Sequence, residues 1–365
     1  MNFDFSEEQK LLADQVKRFL DERSDMAVIR QALEGEQKFA PQVWQGLADM
    51  GLIGTAIPEQ YGGTGAGYLE LCLVSQQIGA HLATVPFGST VYLVAEAILR
   101  FGSDAQKSKW LPKIAAGECI GALAMTETLA QLQPEAVTTT VSDGCIRGSK
   151  AIVSDGNLAD IFVVVAAADT GVGLYLVERG PGVSTSGVDS VDLTRDTARV
   201  EFHGAACEAL GRADWHALQS LLTRAAVLAA FEQLGLAQSA LQMGVGYAQE
   251  RYAFGRAIGS FQSIKHMMAD MYVAMKLAEN NCYYAAWALA NDAEDLALAA
   301  ATARVGATQA AQVCAKDNIQ VHGGMGFTWE FDCHLYYRRA NYMALELGSL
   351  SEWEKKLVHA LPDAA

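Results

Sequence analysis

The sequence predicts an α+β fold in three consecutive parts: an N-terminal helical domain, a middle antiparallel β-barrel-like domain and a C-terminal four-helix bundle. Two observations predict it. From about Cys119 the spacing of apolar residues changes from the helical period of about 3.6 towards the period of about 2 that is typical of strands. After Asp214 long Ala- and Leu-rich segments follow, with no proline before Pro362. The predicted domains are residues 1–117, 118–214 and 215–365.

Three local patterns predict where helices begin and where they are interrupted in the first part. Ser6-Glu7-Glu8-Gln9 has the form of a capping box, and the apolar residues that follow it recur at helical spacing. Pro58–Gly65 is too rich in glycine to be helical and predicts a break. Gly102-Ser103-Asp104 predicts the start of another helix. Helices are therefore expected up to about Gly117.

The middle part contains short apolar or β-branched runs that are typical of strands. Asp143-Gly144 predicts a tight hairpin turn between the second and the third of these runs. Six strands are predicted: Ile120–Thr126, Ala136–Val141, Cys145–Val153, Ile161–Ala167, Gly173–Val177 and Ala198–Phe202.

Composition excludes several classes of function. A chain of 365 residues with 51% hydrophobic and 19% charged residues is expected to bury more than one core. The net charge is −15 and the 27 basic residues are scattered, which argues against a nucleic-acid partner. Long apolar runs and a secretory signal are not found, so we expect a cytoplasmic protein without a membrane partner.

The cysteines do not predict a metal site. No pair has Cys-x-x-Cys spacing and no histidine lies at ligand spacing. We expect seven reduced, mostly buried thiols, at Cys72, Cys119, Cys145, Cys207, Cys282, Cys314 and Cys333.

Two segments of the C-terminal part carry chemistry that suits a pyrophosphate. Gln249–Gln262 contains an arginine, whose planar fork of donors fits phosphate oxygens, and an amide side chain. Gln320–Phe327 contains paired glycines, which let backbone N–H groups approach a ligand closely.

These two segments resemble the flavin-contacting segments of the acyl-CoA dehydrogenase family. Further signatures of that family follow one another in order along nearly the whole chain, which makes the resemblance specific. They are Phe5–Gln9, Tyr61–Gly65, Trp110-Leu111-Pro112, Gly117-Glu118, Met125-Thr126-Glu127 and Asp192–Arg195.

The resemblance implies α,β-desaturation of an acyl-CoA thioester. In the family a carboxylate removes the α-hydrogen as a proton, the β-hydrogen passes as a hydride to FAD, and electron-transferring flavoprotein is the usual acceptor. The thioester carbonyl must be polarised for the α-proton to become acidic. A tetramer is also implied.

The resemblance assigns residues to the flavin position by position. Thr126 and Ser154 match hydrogen-bond partners of the flavin ring. Six residues match the group that reaches the pyrophosphate and adenine end of a neighbouring subunit's FAD: Arg251, Phe254, Gln262, Gln320, Gly323 and Gly324. For Arg251 the alternative is a surface ion pair with Glu250 or Asp270.

Other parts of the predicted flavin site depart from the family. Glu127–Pro134 contains no glycine where relatives carry a Gly-rich phosphate-binding stretch, and Ile152 stands where an aromatic residue is usual. The two usual positions of the catalytic carboxylate fall on Leu347 and Ala225.

Two carboxylates remain as candidate bases. Glu232 follows Ala225 by seven residues on nearly the same helix face, and burial among apolar residues would raise its pKa. Glu346 precedes Leu347 by one residue, so it points in another direction. For Glu232 the alternative is a structural carboxylate bonded to a neighbouring helix. Small residues in 230–240 would leave room for a wide or branched acyl group.

The residues predicted to reach a neighbouring subunit's FAD are retained, whereas the residues predicted to hold FAD within the chain's own middle domain are altered. This combination predicts an FAD site that two chains share. The chain resembles the smaller subunit of heteromeric acyl-CoA dehydrogenases, including those that act on steroid side chains or other bulky acyl-CoAs, with a paralogous partner chain. The alternatives are a homomeric enzyme with Glu232 as a relocated base, a non-catalytic structural subunit, and a flavin oxygenase on the same fold.

Overall fold

The computed structural model describes residues 5–35, 38–128 and 132–361. Within these residues the chain forms two compact units. The first, called the helical unit below, comprises the described residues up to Gln31, Tyr68–Ala83 and the described residues from Ala226 onward. The second, called the β unit, comprises the described residues of Ala32–Gly67 together with Thr84–Ala225. The division into domains 1–117, 118–214 and 215–365 stays a prediction.

Helices occupy the first part of the chain, as predicted. Ser6 and Ser103 each cap a helix in a complete capping box with Gln9 and Gln106, so both predicted helix starts are confirmed. A π-helix, Gly88–Ala95, is buried at every residue. The α-helices before the sheet are α1 (Glu7–Arg23), α2 (Met26–Glu34), α3 (Pro41–Asp49), α4 (Tyr68–Ala80), α5 (Glu96–Phe101) and α6 (Asp104–Ala115).

The β unit contains an eight-stranded sheet whose apolar side chains form one core. The strands are β1 (Gly121–Ala124), β2 (Thr140–Ser142), β3 (Cys145–Ser154), β4 (Ile161–Ala168), β5 (Gly171–Glu178), β6 (Val183–Gly187), β7 (Thr197–Ala206) and β8 (Glu208–Asp214). Their order is β6-β7-β3-β2-β4-β5-β8, and β1 pairs with β4. Most pairs are antiparallel, but β1 and β2 each run parallel to β4, so the sheet is mixed.

The turn between β2 and β3 has the predicted geometry. Asp143 and Gly144 have φ values of 52° and 72°, and Ser142 pairs with Cys145 across the turn. A two-residue hairpin loop with both φ values positive matches the twist of its strands. This turn fixes the register of β3 against β2.

The predicted C-terminal helical bundle is also present. Its helices are α7 (Trp215–Glu250), α8 (Gln262–Ala290), α9 (Leu296–His322), α10 (Cys333–Glu346) and α11 (Leu350–Ala360). Trp353 of α11 is 1% exposed and packs against Ala226 and Ala301. Between α7 and α8 the short strands β9 (Tyr252–Ala253) and β10 (Arg256–Ala257) form a hairpin.

Of the helices in the described residues, α7 alone is long and apolar enough to cross a membrane by length and composition. In its most apolar stretch 89% of the residues are buried inside the protein. A core helix of a soluble protein has the same character, so this helix is weak evidence for a membrane span.

Candidate functional site

The first predicted flavin segment folds into an exposed hairpin at the end of α7. The backbone N–H of Arg251 donates to the Tyr247 carbonyl at 2.8 Å, and that of Ile258 donates to the Arg251 carbonyl at 2.8 Å. Phe254 and Gly255 form the turn with φ values of 52° and 80°. Phe254 is 95% exposed, so the hairpin holds an aromatic ring outside the chain's own core.

Arg251 is exposed at the base of this hairpin. Among the described residues, neither Glu250 nor Asp270 pairs with it, so the structure does not support the surface ion pair that was the alternative for this arginine. Gln262 is exposed and begins the 29-residue helix α8. The unpaired N–H groups and dipole at a helix N-terminus favour an anion.

The second flavin segment lies at the end of α9. Gln320 is exposed in the last turn, and the N–H of Gly323 donates to its carbonyl. Gly323 has a φ of 59°, which favours glycine. A Cβ added at Gly323 or Gly324 would meet nothing within 4 Å, so space remains for a ligand against this backbone.

The structure brings the two flavin segments together within the helical unit. The rings of Tyr247 on α7 and His322 on α9 stack with centroids 4.1 Å apart. An exposed arginine, an open glycine pair and a helix N-terminus form a donor-rich surface, which fits an anionic pyrophosphate. The six residues predicted to contact FAD across an interface thus belong to one unit of this chain.

The two residues predicted to bond the flavin ring lie near each other along the chain's pairing in the β unit. Thr126, which follows β1, forms an isolated bridge with Ile152 of β3, and the Ala151 N–H donates to the Thr126 carbonyl at 2.8 Å. Ser154 lies two residues beyond Ile152, at the end of β3. Ile152 is 41% exposed, so an aliphatic side chain occupies the surface where relatives place an aromatic ring.

A buried ion pair holds the chain around Thr126. The Lys150 ammonium lies 2.7 Å from a Glu127 carboxylate oxygen and 3.3 Å from the Met125 carbonyl, and Lys150 is fully buried. Burial alone would raise the pKa of Glu127, but hydrogen bonds from Lys150, Thr138 and Thr139 outweigh it and lower this pKa to about 2. Sequence reasoning did not find the role of Lys150.

The stretch that replaces the Gly-rich phosphate loop is described only in part. Residues 129–131 of Glu127–Pro134 lie outside the described residues. Pro134–Ala136 forms a short 3₁₀ turn. Glu127 itself accepts backbone hydrogen bonds from Thr138 and Thr139 at 2.8 and 2.9 Å. The carboxylate of this stretch therefore binds the chain's own backbone.

Glu232 lies in a buried polar cluster between helices. It is 1% exposed, and Arg339 of α10 approaches its carboxylate at 3.9 Å. Next to it Gln233 accepts a 2.7 Å hydrogen bond from Arg304, whose guanidinium also donates to the Met343 carbonyl. This environment supports the alternative of a structural carboxylate bonded to a neighbouring helix, and Glu232 as the base stays a prediction.

Glu346, like Glu232, interacts electrostatically with the buried Arg304. Burial lowers the pKa of Arg304 to about 10, while the negative charges of Glu346 and Glu232 act in the opposite direction. Leu347 and Ala225, the positions of the family's usual bases, are 5% and 0% exposed. Glu346 as a base also stays a prediction.

One of the small residues between 230 and 240, Gly235, allows α7 to pack closely against α4. A Cβ added at Gly235 would lie 1.8 Å from the Gln76 carbonyl oxygen, and one added at Gly79 would lie 1.8 Å from the Glu232 carbonyl oxygen. α4 and α7 therefore touch through their backbones. The missing side chain of Gly235 creates this contact and leaves no room for an acyl group there.

Comparisons with known proteins decide the family. The model for the acyl-CoA dehydrogenase N-terminal domain matches residues 6–118, and that for the C-terminal domain matches residues 215–355. The chain belongs to the acyl-CoA dehydrogenase family. It is 33% identical over 356 residues to the acyl-CoA dehydrogenase IpdE2 of Mycobacterium tuberculosis, with 96% of each chain covered.

Two solved structures match nearly the whole chain. The ChsE4–ChsE5 complex of Mycobacterium tuberculosis superposes with a TM-score of 0.92 and 29% identity, covering 100% of both chains. The Tcur3481–Tcur3483 steroid ACAD superposes with a TM-score of 0.88 and 27% identity, covering 97% of both chains. The predicted fold and the flavin-dependent acyl-CoA oxidoreductase class are thereby confirmed.

Proposed function

We propose that this chain is one subunit of a heteromeric acyl-CoA dehydrogenase and completes an FAD site shared with a paralogous partner chain. One observation carries the proposal. Arg251, Phe254 and Gln262 are exposed and directed away from the chain's own core, and Arg251 has no ion-pair partner among the described residues. A donor-rich surface of this kind is suited to an anionic ligand held by another subunit.

The environment of Glu232 and Glu346 supports a site in which the two chains have different roles. Glu232 contacts Arg339, and both Glu232 and Glu346 act on the buried Arg304. A carboxylate bound to a buried arginine contributes to the structure of the bundle. We therefore propose that the partner supplies the base that removes the α-proton. The two similar structures, ChsE4–ChsE5 and Tcur3481–Tcur3483, each carry the names of two different chains, which agrees with a heteromeric assembly.

FAD bound in this assembly would supply the hydride acceptor for desaturation of the acyl-CoA thioester. The residues of this chain would hold its phosphates: Arg251 would donate from its guanidinium, Gln262 from its side-chain amide, and the backbone at Gly323 and Gly324 from its N–H groups. The steroid named for one matched structure supports a bulky acyl group as substrate. Electron-transferring flavoprotein is the proposed acceptor.

The test is the flavin content of the chain alone and of the chain co-expressed with its nearest encoded paralogue. We expect colourless protein alone and about one FAD per pair of chains in the complex, since each site needs both chains. Arg251→Ala should lower flavin retention in the complex. Arg199→Ala, which removes an exposed arginine of the β unit paired with Glu201 at 3.1 Å, is the control. One FAD per chain in the isolated protein would overturn the proposal.

A further inference from the structure

Tyr247 and His322 connect the two flavin segments, Gln249–Gln262 and Gln320–Phe327, which are the segments predicted to contact FAD. Their rings stack at 4.1 Å with an interplanar angle of 24°. Phe331 completes the cluster with its ring steeply inclined to both, at centroid distances of 6.2 Å from Tyr247 and 5.8 Å from His322. Three aromatic rings thus pack where α7 and α9 end.

Tyr247 and His322 are each linked directly to the backbone of a flavin segment. Tyr247 precedes Arg251 by one helical turn, and its carbonyl accepts the Arg251 N–H at 2.8 Å. His322 is the residue immediately before Gly323 and Gly324. A shift of either ring therefore moves the backbone that carries a phosphate donor.

The imidazole of His322 has a fixed orientation. Its Nδ1–H donates to the Asn318 carbonyl at 2.8 Å, one turn earlier on α9, and the residue is 6% exposed. The bond sets the plane of the ring, so the ring meets Tyr247 face to face. His322 is buried and Tyr247 is half-buried, whereas Arg251, Gln320 and Gly324 are exposed.

We infer that Tyr247 and His322 are positioning residues for FAD: their stacking holds Arg251 and the Gly323-Gly324 backbone at the separation that one pyrophosphate requires. The inference rests on the proposed shared site. An offset or stacked aromatic pair contributes about 0.5–1.5 kcal/mol beyond its buried area, which corresponds to about a 2- to 12-fold change in the rate of ligand release when the pair is lost.

The experiment measures the rate of FAD release from the co-purified complex, followed by the rise of flavin fluorescence. Tyr247→Leu and His322→Leu should each release FAD about 2- to 12-fold faster than the natural complex, and the double variant should be no faster than the faster single variant. Tyr247→Phe retains the ring and should behave like the natural complex.

Three further variants distinguish a loss of ring stacking from a general loss of stability and from failure of the shared FAD site. Val16→Ala removes fully buried methyl groups on α1 and controls for a general loss of stability. Should a Leu variant fail to assemble, His322→Gln decides, because it retains a donor towards Asn318 but has no ring and should release FAD quickly. Arg251→Ala tests the shared site itself.

The outcomes are distinguishable. Fast release from Arg251→Ala with natural release from the ring-deleting variants overturns the positioning role alone. Natural release from Arg251→Ala overturns the shared site and this inference with it. Release from Val16→Ala as fast as from His322→Leu assigns the effect to stability and also overturns the positioning role.

Discussion

The Arg339 guanidinium lies 3.9 Å from the Glu232 carboxylate, and the two side chains are 1% and 2% exposed. They come from α10 and α7 of the helical unit and are joined in the same buried region by Arg304 and Gln233. When one member of a buried ion pair is removed, the other charge stays in a site of low dielectric without its counterion. The structure therefore gives Glu232 a role that does not require substrate.

Glu232→Gln is expected to lower the free energy of unfolding by about 3 kcal/mol, because Arg339 loses a buried counterion. Turnover of the assembled complex should stay within about twofold, which is less than about 0.5 kcal/mol in activation free energy. Urea unfolding and steady-state desaturation assays check the two parts. A loss of turnover by several orders of magnitude with flavin still bound would instead identify Glu232 as the relocated base.

Two glycines of α7 allow a matched comparison. Gly235→Ala should destabilise the chain by about 3 kcal/mol, since overpacking forces backbone to move and the new Cβ would lie 1.8 Å from the Gln76 carbonyl oxygen. Gly246→Ala meets nothing within 4 Å and should stabilise the same helix by about 0.5–1 kcal/mol. Thermal and urea unfolding measure both. Equal effects of the two substitutions would contradict the close contact between α4 and α7.

Local signals in the sequence predicted local structure. The capping boxes at Ser6 and Ser103 and the turn at Asp143-Gly144 each depend on four or fewer consecutive residues, and all three are present. The strands β6 and β8 were not predicted. They are the two ends of the sheet, and their sequences, Val-Ser-Thr-Ser-Gly and Glu-Ala-Leu-Gly-Arg-Ala-Asp, have few apolar residues to alternate.

Residues of the candidate site were predicted only where a motif marks them. Arg251, Phe254 and the Gly323-Gly324 pair were assigned to FAD because their order along the chain resembles the family. Contacts between distant segments give no such signal: Glu232 and Arg339, or Lys150 and Glu127, meet only after the helices and strands pack. A buried charge in an apolar stretch is the one hint that the sequence offered.

The β unit contains a second buried ion pair, between Arg224 and Glu96, whose Nε and Oε1 atoms are 2.5 Å apart. Glu96→Leu or Arg224→Met alone should destabilise the chain by about 3–5 kcal/mol, because each leaves a buried charge behind. The double variant Glu96→Leu/Arg224→Met should recover about 2 kcal/mol or more of that loss, since no charge remains. A double-mutant cycle of urea unfolding measures the coupling. Strict additivity of the two losses would show that the pair is not coupled.

Glu127 makes the stability of the β unit depend on pH. Its pKa is lowered to about 2 from an ordinary value of 4.5, since the hydrogen bonds from Lys150, Thr138 and Thr139 outweigh burial. A carboxylate with a depressed pKa in the folded state stabilises the protein above its unfolded pKa, and this contribution is lost as the pH falls through the folded value. The chain should therefore lose stability as the pH falls from about 4.5 towards 2.

Glu127→Gln cannot titrate and isolates this effect. Its free energy of unfolding should lie below that of the natural chain at about pH 6, and the difference should shrink at about pH 3, where the unfolded carboxyl is already protonated. Urea unfolding at the two pH values measures the difference. Glu201→Gln, an exposed carboxylate of β7, is the control and should show no comparable change. A difference for Glu127→Gln that is the same at both pH values would show that its contact with Lys150 does not depend on charge.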